Sequence, residues 1–196
     1  HRLAIELFHS APRACEASQP PIHMNRLLVT SLALLALVPV ASPAAPKVTT
    51  AAGLTPADLA TAVAAHRADL GLGGAANAAN GPFANGFRNV NWDGAPDTAA
   101  APNAMPADFF NNNVRRGAVF STPTPGATVQ LSAAAGNAAG TAVRFGNIDP
   151  SYATRFRAFT EQRLFAAVGS TIVDTRFFVP GSPATSATVN GMGVVF

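Results

Sequence analysis

The polar residues best placed for chemistry occupy positions 91–97, where two carboxylates stand four residues apart around an Asp-Gly turn. Asp93 and Asp97, beside the amides of Asn89 and Asn91, could present oxygen atoms to a calcium ion. The stretch lacks the Asp-x-Asp-x-Asp-Gly spacing and the distal glutamate of an EF-hand loop. We favour the alternative, in which Asp93 closes its own turn by side-chain hydrogen bonds and Trp92 packs in the core.

The same stretch carries a candidate glycan-binding surface. Trp92 is close in sequence to Arg88, Asn89 and Asn91. An aromatic face can cover a pyranose ring, and amide groups can hydrogen-bond its hydroxyls. The competing interpretation is that a tryptophan beside a turn lies at the edge of the core.

Glycoside hydrolysis would need two carboxylates, and their separation in space decides the mechanism. The candidates are Asp93, Asp97, Asp149, Glu161 and Asp174. No serine lies in a Gly-x-Ser-x-Gly elbow, and no phosphate-binding loop or dinucleotide motif is present. We therefore assign no catalytic residue, and a hydrolase that uses paired aspartates stays the alternative function.

The charges from Ala45 onward are nearly balanced, with ten basic residues against eight acidic ones. The sequence contains no basic tract that could bind a nucleic-acid backbone, so we exclude nucleic acid as a partner. A loose basic set could meet an acidic exopolysaccharide, or could pair on a solvated face with Asp149 and Glu161. The members of this set are Arg144, Arg155, Arg157 and Arg163.

Residues 24–44 have the three parts of a secretory signal peptide. Arg26 gives the positive start, residues 27–40 are apolar, and Ser42 and Ala44 suit a cleavage site after Ala44. The apolar run is shorter than the roughly twenty residues that span a bilayer. We predict a bacterial protein that acts in the periplasm, outside the cell or at its surface.

Residues 1–23 precede this signal, and we predict that they are upstream read-through without ordered structure; a real N-terminal extension is the alternative. Cleavage would remove Cys15 and leave His66 as the single histidine. A protein without cysteine and with one histidine lacks the ligands of most zinc sites. No cofactor is expected besides the candidate calcium ion.

The elements that position these residues are a helix followed by many short strands. Thr55, Pro56 and Asp58 form a helix start, and the helix should reach about Leu70. A Gly/Ala/Asn-rich linker completes residues 45–86. Aromatic residues at helical spacing, Tyr152, Phe156 and Phe159, predict a short helix or a wide turn.

Strand-like runs separated by glycine and proline turns recur about every ten residues after Arg116, which is typical of an antiparallel sandwich. The runs are 117–121, 127–132, 141–145, 163–165, 171–179 and 188–196. We predict a mainly β fold: a jelly-roll-like antiparallel β-sandwich over residues 87–196, incomplete at its C-terminal end, with one N-terminal α-helix after the signal peptide.

Several motifs resemble those of a group of uncharacterised secreted bacterial proteins, some of which carry a C-terminal PEP-CTERM sorting signal. The motifs are Phe-Arg-Asn-Val-Asn-Trp-Asp-Gly at 87–94, Arg-Gly-Ala-Val-Phe-Ser-Thr-Pro at 116–123, Arg-Phe-Gly-Asn-Ile-Asp-Pro-Ser-Tyr at 144–152 and Gly-Ser-Thr-Ile-Val-Asp-Thr-Arg-Phe-Phe-Val-Pro-Gly at 169–181. The resemblance implies further β-structure, and in some relatives a sorting tail, after Phe196.

We therefore expect a secreted, non-catalytic protein of the cell envelope or extracellular matrix that binds glycan. Its expected partners are extracellular polysaccharide or cell-surface components, and it would meet a membrane only through the signal peptide or a C-terminal anchor. A purely structural surface role is a third hypothesis.

Overall fold

The computed structural model describes residues 3–9, 45–71 and 87–195. Within them the fold is mainly β, with strands in antiparallel sheets and few helices. The predicted signal peptide and cleavage site at 24–44 and most of the linker lie outside the described residues, so they stay predictions. No helix in the described ranges is long and apolar enough to cross a membrane.

The first sheet has three strands in the order β2-β1-β8. They are β1 (Leu3–His9), β2 (Lys47–Gly53) and β8 (Gly191–Val195). We predicted no ordered structure for residues 1–23, whereas Leu3–His9 form the central strand of this sheet. The sequence of this segment has apolar residues at positions 3, 5 and 7, which is a strand pattern. Pro12, Pro20 and Pro21, which argue against ordered structure in residues 1–23, come only after it.

Helix α1 (Pro56–Asp69) begins where the capping residues indicate. The Asp58 carboxylate accepts hydrogen bonds from the backbone N–H groups of Thr55 and Leu54, both at 2.8 Å. These bonds hold the pKa of Asp58 below its ordinary value. Leu59 is fully buried on the inner face of the helix, and a salt bridge of 2.7 Å from Lys47 to Asp69 joins β2 to the helix end.

Two further sheets carry the rest of the chain. One has the order β3-β6-β7, formed by β3 (Ala118–Ser121), β6 (Asp174–Val179) and β7 (Ser182–Ser186). The other pairs β4 (Thr128–Leu131) with β5 (Phe165–Val168). The short helices α2 (Phe109–Asn112) and α3 (Tyr152–Arg155) lie between strands, and α3 is the short helix that the aromatic spacing allowed.

The strand predicted at 141–145 is wrong. Only Val143 makes a bridge, to Ala133, and the next residues turn with left-handed backbones, at φ 53° for Arg144 and φ 62° for Phe145. The Asn137 side chain causes part of this, because its amide bonds the carbonyl oxygens of Ala134 and Thr141 and accepts from the Thr141 N–H. Phe145 is buried by the turn instead of by a strand.

The main core lies between β3, β4, α2 and the segment before α2, and it is rich in aromatic and small residues. Phe110 and Leu131 are its largest nearly inaccessible apolar side chains. The backbone N–H groups of Ala101 and Met105 bond the carbonyl oxygens of Leu131 and Val129, so the Pro/Ala-rich segment is held along the edge of β4. This edge contact fixes the position of residues 91–97, which lead into that segment.

Gly117, the residue before β3, lies close against the backbone near the end of β6. Its φ is +77°, and an added Cβ would lie 2.5 Å from the Phe178 carbonyl oxygen. Gly126 has nearly the same φ, +78°, with nothing within 4 Å of its added Cβ. We expect Gly126→Ala to lower the free energy of unfolding by about 1–2 kcal/mol, and Gly117→Ala to lower it by about 1–3 kcal/mol more. Urea unfolding measures both values, and equal losses would contradict the close approach.

Candidate functional site

Trp92 lies at the edge of the aromatic core. Its ring stacks on Phe165 with centroids 4.6 Å apart and an interplanar angle of 9°. It also meets the rings of Phe110 at 5.2 Å and Phe120 at 5.5 Å, edge to face. The packing interpretation of Trp92 is confirmed, and one face of the indole is covered by Phe165 and not open to a sugar ring.

The turn at 91–94 is closed by Asn91, whose side-chain oxygen accepts from the Asp93 N–H at 3.1 Å. The prediction that Asp93 closes its own turn is therefore wrong. Its carboxylate instead accepts three backbone N–H groups from a distant segment: Glu161 at 2.9 Å, Gln162 at 3.2 Å and Arg163 at 2.7 Å. An aspartate in a turn can accept hydrogen bonds either from the turn itself or from a distant segment, and the local sequence does not distinguish the two.

Asp97 holds the same segment through a side chain. Arg163 is only 4% exposed and donates from Nη2 to Asp97 Oδ1 at 2.6 Å and from Nη1 to the Ser132 carbonyl oxygen at 2.8 Å. The buried Ser132 hydroxyl accepts from the Leu164 N–H at 2.9 Å. We call the contacts of Asp93 and Asp97 with residues 161–163 the aspartate clamp.

The electrostatics of the clamp favour ionised Asp93. Partial burial raises its pKa, but the nearby Thr160 hydroxyl and the hydrogen bonds from the N–H groups of Arg163, Glu161 and Gln162 outweigh burial. The pKa of Asp93 is therefore below its ordinary value. A general acid in glycoside hydrolysis needs a raised pKa, so the clamp does not favour the paired-aspartate hydrolase.

The clamp also bears on the candidate calcium site. Calcium takes about six to eight oxygen ligands, while both Asp93 oxygens already accept N–H groups and Asp97 pairs with Arg163. Among the described residues, no group of three or more His, Cys, Asp or Glu side chains is placed to hold a metal ion. Asp93 and Asp97 do not fit such an ion unless the clamp opens.

A large open cleft of about 1680 Å³ runs past the clamp, between α1, the 87–92 segment, the 154–166 segment and β6 and β8. All four predicted ligand-binding residues, Arg88, Asn89, Asn91 and Trp92, line it. Six arginines line it as well, and no aspartate or glutamate does so among the described residues. These arginines are Arg67, Arg88, Arg116, Arg155, Arg157 and Arg163.

Asn89 organises one wall of this cleft. Its side-chain oxygen accepts from Arg67 Nη2 at 3.2 Å, and its carbonyl oxygen accepts from Arg116 Nε at 2.9 Å. The Arg67 guanidinium also lies over the Phe87 ring, 5.0 Å from its centroid. Burial, and then the charge of Arg116, lower the pKa of Arg88. The wall therefore gathers several guanidinium groups around one amide.

The structure brings together most of the predicted basic set. Arg155, Arg157 and Arg163 line the cleft, whereas Arg144 turns away and donates to the Ala153 carbonyl oxygen at 2.7 Å. Arg163 pairs with Asp97 and not with Asp149 or Glu161. Arg67 and Arg116 were missed, because they come from α1 and from the segment before β3 and no short motif links them.

No protein-family model, curated protein or solved structure matches this chain.

The clamp predicts a pH-dependent effect of Asp93→Asn. The change removes a charge-assisted acceptor of three N–H groups, so we expect the free energy of unfolding to fall by about 2 kcal/mol at neutral pH. Because folding lowers the pKa of Asp93, its contribution is complete above about pH 5, where the unfolded aspartate (ordinary pKa about 3.9) is also ionised. The contribution disappears as the pH falls through the folded pKa, so the difference between the two proteins should close there.

Urea unfolding at several pH values measures this difference. The matched control is Asp174→Asn, which changes an exposed carboxylate on β6 outside the clamp and should alter stability by no more than about 0.5 kcal/mol. A loss for Asp93→Asn that stayed constant down to pH 2 would contradict the role of the ionised carboxylate.

Metal addition provides a separate prediction. Because the clamp already uses the oxygens of Asp93 and the Oδ1 atom of Asp97, we expect neither calcium nor EDTA to move the melting temperature measured by calorimetry. A rise with calcium that Asp93→Asn abolished would show that these aspartates bind the ion.

Proposed function

We propose that this protein is a secreted, non-catalytic β-sandwich protein of the bacterial cell envelope or matrix, and that it binds an acidic glycan in the arginine-lined cleft. The observation that carries the proposal is the charge of that cleft: six lining arginines and no lining carboxylate among the described residues. Guanidinium groups are planar donors whose geometry matches the two oxygens of a carboxylate.

The other features of the cleft support an extended ligand. Asn89 and Asn91 add amide groups for hydroxyls, and the cleft is larger than the roughly 300–1,000 Å³ of a pocket for one small molecule. Arg155, the last residue of α3, and Arg157, just after it, are exposed, so a polymer could reach them from solvent. The glycan would be held by charge and hydrogen bonds, since Trp92 is stacked on Phe165.

The proposal includes secretion of the protein and its relation to a group of secreted bacterial proteins. They rest on the signal-like residues 24–44 and on the motifs that resemble those of secreted bacterial proteins. The sandwich arrangement rests on the strand spacing, and the antiparallel sheets are compatible with it.

Equilibrium binding to polygalacturonate, with a neutral dextran beside it, tests the proposed function. We expect the full chain to bind only the acidic polymer, with an affinity that falls as salt rises from about 0.05 to about 0.5 M, because salt screens exposed charges. Replacing Arg155 and Arg157 together by alanine should weaken binding about tenfold, or about 1.4 kcal/mol.

The matched control is Arg176→Ala, which removes an exposed arginine of β6 that does not line the cleft. It should leave the affinity unchanged. Binding that ignored salt, equal binding of dextran, or new reducing ends in the polymer would each contradict a non-catalytic acidic-glycan module.

A further inference from the structure

One donor of a cleft-lining residue lacks an acceptor among the described residues. Arg163 lines the cleft and is 4% exposed, and two of its guanidinium nitrogens are engaged, by Asp97 and by the Ser132 carbonyl oxygen. The third nitrogen, Nε, is buried and has no hydrogen-bond acceptor among the described residues. A buried N–H group without an acceptor is costly, so such a group normally meets water or a ligand.

The position of this donor is fixed. In the aspartate clamp, Asp93 accepts from the Arg163 backbone N–H and Asp97 accepts from Arg163 Nη2. Neither carboxylate accepts from Nε. An acceptor at Nε therefore has to come from outside the clamp. The guanidinium itself is already held by two hydrogen bonds, so it loses little freedom when an acceptor binds. A neighbouring group has to move aside to admit that acceptor, because Nε is buried.

The charge around Arg163 selects the kind of acceptor. Its partner Asp97 has a side chain 52% exposed to solvent, so water screens the compensating carboxylate. The described lining of the cleft adds five other arginines and no acidic side chain. An anionic oxygen is favoured in such surroundings over a neutral hydroxyl, because hydrogen bonds to charged groups are the stronger ones.

We infer that Arg163 is a specificity-determining residue of the cleft, whose Nε–H donates to a carboxylate oxygen of a uronic-acid glycan. This inference rests on the proposed function and names the substrate class: a polymer recognised through its sugar carboxylates and not only through its overall negative charge. Two guanidinium nitrogens of Arg163 thus stabilise the fold, and the third donates to the ligand.

Substitution of Arg163 would break the clamp, so the test uses the unchanged protein. Nitrogen-15 NMR observes arginine Nε–H groups directly, and the full chain is titrated with polygalacturonate and with the same polymer after its carboxylates have been reduced to alcohols. We expect the acidic polymer to shift the Arg163 Nε–H resonance and to slow its exchange with water. The reduced polymer should bind at least about tenfold more weakly, as expected for the loss of one charged hydrogen bond.

The Nε–H of Arg176, exposed on β6 and outside the cleft, is the internal control and should not move. Binding of the acidic polymer without a shift at Arg163 would overturn this inference and leave the proposed function intact. Equal binding of the two polymers would overturn the selection of carboxylates and, because the reduced polymer is neutral, the proposed acidic-glycan binding as well. Binding of neither polymer would overturn both the proposed function and the inference.

Discussion

The fold depends on the attachment of residues 161–163 to two aspartates that precede them by 66 to 70 residues. Bringing such distant segments together costs loop entropy, which has to be offset by specific contacts. Asp93 accepts from the backbone N–H groups of this segment and Asp97 accepts from the Arg163 guanidinium, so the segment is fixed in both position and rotation. The aromatic stack of Trp92 on Phe165 lies on the same two segments and adds apolar burial to the polar contacts.

The cleft depends on this attachment because the attached segment forms one of its walls. Residues 154–160 lead into the clamp from α3, and residues 164–168 lead out of it into β5, which pairs with β4. If the clamp opened, the wall would lose its anchor while the opposite wall, tied by Asn89 to Arg67 and Arg116, would stay. Under the proposed function, stability and glycan binding would therefore be coupled at Arg163, which belongs to the clamp and to the cleft lining.

Local patterns predicted the elements whose causes are local. The capped start of α1 follows from Thr55, Pro56 and Asp58, and β3, β4 and β6 follow from alternating apolar runs. The strand at 141–145 was predicted wrongly because the Asn137 side chain, several residues away, competes for the backbone bonds that a strand would use. β7 was missed because Pro183 and small residues give it no apolar alternation.

The candidate site was predicted only in part for the same reason. The stretch 88–97 was recognised as the polar centre, and its four predicted ligand-binding residues do share one cleft. What the sequence could not supply was the partner of each group: Asp93 accepts from backbone N–H groups, which carry no residue identity, and Arg67 and Arg116 enter from remote elements. Contacts of this kind follow from topology and not from spacing.

The charge of the cleft follows from where the acidic side chains are used, since the chain from Ala45 onward has nearly as many acids as bases. Five aspartates bond backbone groups or a single cation, and none of the five lines the cleft. They serve as a helix cap, a strand-to-helix salt bridge, the two halves of the clamp and a turn: Asp58, Asp69, Asp93, Asp97 and Asp149. Six arginines share the lining of the cleft without a lining carboxylate among the described residues. A nearly neutral composition thus produces a strongly basic surface, because folding separates the two signs of charge.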